Sequence, residues 1–150
     1  MAFVPNIALG RIAELARLTA ASDALVAMML KSAGLESDAV LKDVDDFAAM
    51  VAGTTNESTF AGYARQVLTG VTVTVDDTND RVDVDCADPV FSPTASEGYG
   101  ALVVVHDADT TAGTDSGLIP LHVDKAFAGT TSTSGTLTYQ VPAGGFFRAA

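Results

Sequence analysis

The sequence predicts an α+β protein: an N-terminal helical segment followed by a small antiparallel β-sandwich or barrel. Three observations predict it. Residues 71–86, VTVTVDDTNDRVDVDC, alternate apolar and polar side chains on both sides of a turn-prone acidic run, the pattern of a β-hairpin. Before them, Leu9, Ile12, Leu15 and Ala16, and then Leu41, Val44, Phe47, Ala48 and Val51, recur at helical spacing. After them come several short apolar runs separated by Gly, Pro, Ser and Thr, which suggests six or seven short antiparallel strands. The expected division is a helical arm or docking lobe over 1–70 and an antiparallel β module over 71–150, with the boundary near Gly70.

Taken in order, MAFVPNI reads as an extended arm because of Pro5, and a helix is expected from Ala8. Ser22-Asp23 offers an N-cap to the apolar run over 24–32, which fits a helix or a buried strand equally, and Gly34 ends it. Ser37-Asp38 opens the next helix, with Lys42, Asp43, Asp45 and Asp46 on its wet face. A further helix over 57–68 would turn Phe60, Tyr63, Ala64 and Val67 inward. Beyond the hairpin, Val90-Phe91 lies between Pro89 and Pro93 and suits a short strand. Residues 101–106, ALVVVH, make the strongest buried strand, and LIPLHV over 118–123 is expected at an edge because Pro120 lacks a ladder donor. Residues 128–135 read as a flexible turn, Leu137, Tyr139 and Val141 as a strand face, and 146–148 as a final short strand. There is no internal repeat.

The 150 residues suffice for one ordinary core or two very small ones. The longest apolar run, 24–30, is far short of the roughly 20 residues a spanning helix needs, and no secretory signal is read at the N-terminus, so a soluble chain made in the cytosol is expected. One cysteine, Cys86, excludes an intrachain disulfide and a multi-thiolate metal site; its place on the apolar face of the hairpin suggests a buried small hydrophobe. The net charge of −11 is uneven: five basic and eight acidic side chains over 1–70, three and eleven over 71–150. Phosphate binding needs clustered Lys and Arg, so nucleic acid and anionic membranes are not expected partners. The carboxylates serve solubility and guard strand edges.

The acidic loop over 107–117, DADTTAGTDSG, opens like a calcium loop at Asp107 and Asp109 but has Ala112 where that motif needs glycine and Leu118 where it needs glutamate. A looser oxygen cage of Asp107, Asp109 and Asp115, or one of Asp76, Asp77, Asp80 and Asp83, is the only cation reading available. His106 and His122 would need a third ligand to hold a metal, and two separate histidines is the simpler reading. No nucleophile elbow and no phosphate loop occurs; Gly98, Gly100, Gly144 and Gly145 read as turn glycines. No catalytic, cofactor-binding or metal-ligating residue is assigned, and no cofactor is expected.

The runs VLTGVTVTVDDTNDRVDVDCADPVF, HDADTTAGTDSGLIPLH and GGFFRA, with NIALGRIAEL and LKDVDDFAAMVAG, resemble a family of small proteins encoded among the virion structural genes of tailed bacteriophages. The resemblance covers nearly the whole chain and lies in strand and turn sequence. It implies a non-enzymatic virion component, foremost a decoration or minor capsid protein bound outside the major capsid lattice. The partners it implies are the major capsid protein or other virion proteins, with further copies of the chain as a homotrimer. Residues 1–7 and the helices after them would dock, the acidic β module would face solvent, and repetition over a symmetric shell would supply avidity. A tail or tail-fibre-associated role in host recognition or fibre anchoring is the alternative within the same particle. A polysaccharide hydrolase is a third reading and needs positioned carboxylates with perturbed acidity.

Overall fold

The run ALVAMMLK folds as a strand, and that choice organises the chain. In the computed structural model, which describes residues 1–111, 113–131 and 135–149, β2 (Ala24–Lys31) buries every side chain but the last. A strand covered on both faces reads as a continuous apolar run rather than an alternation, which is why periodicity alone left helix and strand open here. The other strands are β1 (Ala2–Phe3), β3 (Gln66–Val67), β4 (Thr72–Asp76), β5 (Arg81–Asp85), β6 (Val90–Phe91), β7 (Gly98–Asp107), β8 (Ile119–Asp124), β9 (Gly129–Thr130), β10 (Leu137–Thr138) and β11 (Phe147–Ala149). All of their pairings are antiparallel.

The main sheet runs β1-β8-β7-β2-β3, with β9 added to the start of β7. Its spine is the pairing of β2 with β7, from Ala24 opposite Asp107 to Lys31 opposite Tyr99. Two smaller sheets, β11-β5-β4 and β10-β6, complete the fold. The expected hairpin, the strong strand over 101–106, Val90-Phe91 and the last short strand are all present. Pro120 sits at the irregularity where β8 shifts register against β7, while β1 pairs only with Val123 and Asp124. Its missing N–H is tolerated there without β8 being the outermost strand.

Opposite faces of the sheet bury two apolar clusters. Leu25, Ala27, Met29, Leu102, Val104 and Leu121 face a layer made by Ile12, Phe60, Val84, Phe91, Tyr139 and Phe146. Val26, Met28, Leu30, Val103, Val105 and Val123 face Leu41, Phe47 and Met50. Each fully buried Leu, Met or Phe contributes about 1.5–3 kcal/mol relative to exposure. Both clusters draw residues from either side of Gly70, so it is the strand pairing that sets where the core lies. The sheets do not close into a barrel.

Helix is scarcer than the sequence suggests. Among the described residues it is confined to α1 (Ile12–Leu15), α2 (Asp38–Lys42) and α3 (Phe47–Met50), with 3-10 turns at Asn6–Ala8 and Asp115–Gly117. The Ser37 hydroxyl caps α2 by accepting from Val40 N–H, as its sequence position implied. The expected continuation to Val51 is cut because Asp46 starts a second helix, accepting from the Ala49 N–H at 2.7 Å. The helix expected over 57–68 does not form. Gly62 takes a positive φ of 86°, and the segment spends its polar groups along the open edge of β2.

Candidate functional site

Along that edge, β3 pairs with β2 only at Val26 and Ala27, and Glu57 makes a single bridge at Leu30. Between them the Tyr63 hydroxyl takes the role of a missing backbone carbonyl: it accepts from the buried Met29 N–H at 3.1 Å and donates to Glu57 Oε1 at 2.6 Å. Burial, then that carboxylate, pushes the Tyr63 hydroxyl far above its ordinary range, so it remains a donor. Arg65 grips Glu57 through Nε and Nη2 and Asp115 through both terminal nitrogens, and stacks over the Phe47 ring 5.2 Å from its centroid. The carboxylates of Glu57 and Asp115 hold the guanidinium charged at any accessible pH.

This network decides what the acidic loop does. Asp107, Asp109 and Asp115 do line one cleft of about 160 Å³, but Arg65 lines it with them. Asp115 is committed to Arg65, Asp107 accepts from the Asp109 N–H at 3.0 Å, and Asp109 accepts from the Thr111 N–H and hydroxyl. Ala112 lies outside the described residues. At the hairpin, Asp76 accepts from Thr78 and Asn79, and Asn79 holds its carboxyl below the usual range. Asp83 is held low chiefly by Arg148, which donates to it at 2.6 Å, and it faces Arg81 as well. Among the described residues no group of three or more His, Cys, Asp and Glu is placed to hold a metal ion.

The two histidines lie on one face of the main sheet and are both buried. His106 Nε2 is 4.0 Å from Asp23 Oδ2, beyond hydrogen-bond distance, and the ring borders a cleft of about 200 Å³ with Glu14, Thr19 and Asp23. His122 meets the Phe146 ring edge-on at 5.7 Å. Burial pulls both imidazoles below their ordinary value. Cys86 is half-buried, and burial followed by Asp85 and Asp88 pushes its thiol up to about 11.

Two surfaces present groups suited to binding. At the β1 edge the arm lies along α2: the N-terminal amine is close enough to Asp38 to lower its carboxyl after Lys125 has done so, Lys42 stacks over the Phe3 ring, and Asn6 donates to Asp43 at 2.7 Å. Met1 on the arm and Val40 on α2 are exposed at 88% and 46%; the other exposed large apolar side chains among the described residues are Leu9, Val67, Val75 and Val90. Sequence reasoning found the arm but not that it pairs with its own β8. The second surface is an open cleft of about 380 Å³ lined by Asp124, Phe127, Thr138, Tyr139 and Gln140. The Tyr139 hydroxyl donates to Asp124 at 3.1 Å, and Phe127 packs between the Tyr99 and Tyr139 rings. No signal in the sequence joined Phe127 to Tyr139. No helix among the described residues is long and apolar enough to cross a membrane. Comparison with protein-family models, with curated proteins and with solved structures found no match.

Proposed function

We propose that this chain is a non-enzymatic structural component of a tailed-phage particle, a decoration or minor capsid protein seated on the outside of the major capsid lattice. The observation that carries this reading is the polarity of the surface. At the open β1 edge the arm meets α2, where the N-terminal amine reaches Asp38 and Lys42 stacks over Phe3, and Met1 and Val40 are exposed apolar side chains of these two elements. The acidic hairpin belongs to the layer on the opposite side of the main sheet, since Val84 and Leu41 fall in the two separate core clusters. A docking face of this kind seats the chain on a lattice while the hairpin carboxylates face solvent. The main sheet and the β11-β5-β4 sheet serve as a sandwich-like rigid body, and a small contact repeated over a shell gains avidity without new contacts. A homotrimer is the expected arrangement of copies.

Cryo-electron microscopy of intact particles tests this directly. Density for the chain at repeated positions over the capsid faces, with the α2 side inward, is expected; density confined to the tail or neck overturns it. The substitution Val40→Asp is expected to abolish binding to undecorated capsids while leaving the circular dichroism of the chain unchanged. The cleft with Phe127, Tyr139, Thr138 and Gln140 favours a second reading, a tail-associated protein that contacts host-surface sugar, because aromatic faces beside amide and hydroxyl groups suit carbohydrate. Tail-confined density together with loss of cell adsorption in Phe127→Ala would support it.

A further inference from the structure

The C-terminal segment is held to the sheet by few contacts. Three residue pairs join β11 to β5, and the Arg148–Asp83 ion pair is surface-exposed on the arginine side and worth little. The main anchor is Phe146, 5% exposed, whose ring packs against His122. His122 is itself 6% exposed, and its Nε2 is buried with no hydrogen-bond partner among the described residues. A neutral imidazole tolerates this, because the bare nitrogen carries only a lone pair. A protonated one does not: its Nε2–H and its charge are buried with no hydrogen-bond acceptor in reach.

The groups around His122 offer little relief. Asp124, two residues along β8, is the charged group that acts on it, and that carboxylate already accepts from the Tyr139 hydroxyl and the Ala126 N–H. Its partner across β7 is Val104, the turn Asn6–Ala8 packed on β8 carries no ionisable side chain, and Arg148 is engaged by Asp83. His106 also has a ring nitrogen, Nδ1, buried without a partner, but it differs in its surroundings: Asp23, Asp107, Glu14 and Arg11 lie around it and a small shift would bring Asp23 into contact.

We propose that His122 is a proton-sensitive latch on the C-terminal segment: acidification frees Phe146 and β11 from the sheet before the sheet itself opens. The alternative way to hydrate the imidazolium is to pull β8 from β7, which sacrifices Leu121 and Val123 on both faces of the core. Releasing the terminal segment gives up Phe146, the half-buried Phe147 and a three-residue ladder, against the wholly buried Leu121 and Val123 of β8, so it is the cheaper opening. Because burial depresses the imidazole below its unfolded value near 6.5, the latch holds fully above that pH and weakens as pH falls through and below it.

Hydrogen-exchange mass spectrometry on the full chain at pH 7.5, 6.5 and 5.5, corrected for intrinsic exchange, tests it. Peptides covering 145–149 are expected to lose protection by up to about tenfold per pH unit below 6.5, while β2 and β7 keep theirs. His122→Leu should remove this pH response and His106→Asn should keep it. Equal loss across β7, or an unchanged response in His122→Leu, overturns the proposal. An NMR titration of the wild-type imidazole gives an independent check: a His122 midpoint at or above 6.5 overturns it whatever the variants do.

Discussion

Replacing Tyr63 by phenylalanine isolates one oxygen atom at the open edge of β2. The ring contacts survive: Phe60 remains edge-on at 5.1 Å and Phe91 stacked at 6.1 Å. Two hydrogen bonds go. Glu57 keeps both of its bonds from Arg65, at 2.9 and 2.7 Å, so its charge stays compensated. Met29 has no such reserve: the residue is fully buried and the Tyr63 hydroxyl is the acceptor of its N–H. Leaving a buried donor unsatisfied costs about 1–3 kcal/mol, so a loss of about 2 kcal/mol is expected. With a urea m-value of about 2 kcal/mol/M for a chain of this size, the unfolding midpoint should fall by roughly 1 M with m unchanged. Equilibrium urea unfolding followed by far-UV circular dichroism measures it. A shift below about 0.25 M would refute the reasoning, since it would mean that this hydroxyl does not complete the ladder.

Three further outcomes are expected. Gly145→Ala places a β-carbon against the Val84 carbonyl at a φ of 87°, and should lower stability by about 2 kcal/mol or more, seen as a Tm drop of roughly 5 °C. Phe47→Ala empties a fully buried site that also carries the Arg65 stack, and should cost about 3–5 kcal/mol in the same urea assay. Cys86, with its thiol pushed up to about 11, should react with iodoacetamide at pH 8 roughly 100-fold more slowly than an unperturbed thiol, and unfolding in urea should restore the ordinary rate.

What was legible in the sequence was the part governed by local pattern. The hairpin β4-β5, the buried run of β7, the Ser37 cap and the closing strand β11 all follow from alternation, apolar runs or capping chemistry. What was not legible depends on partners distant in sequence. Residues 57–68 have acceptable helical spacing, but Glu57, Tyr63 and Arg65 gain more by bonding to β2 and Asp115 than by facing a common core. Val26 and Met28 are buried because α2 and α3 come back over them, and nothing within 24–31 announces that cover. The same applies at the surface. Asp107, Asp109 and Asp115 were correctly grouped by spacing, yet the charge that meets Asp115 comes from Arg65, fifty residues earlier.

The pairing of β2 with β7 sets a condition on how this chain can be made. Ala24 meets Asp107 and Leu30 meets Ala101, so the central ladder has no partner strand until most of the chain has left the ribosome. During that interval ALVAMML is an apolar, β-prone segment without cover, the kind that pairs wrongly when copies are crowded. Sheets built from such distant pairings fold slowly for the entropy of closing the loop between them. A fragment ending at residue 70 would keep that exposure permanently, and aggregation is its expected fate. The acidic side chains at Asp23, Glu36 and Asp38 that flank the segment then act before folding as well as after it, as charged gatekeepers of a strand still waiting for its mate.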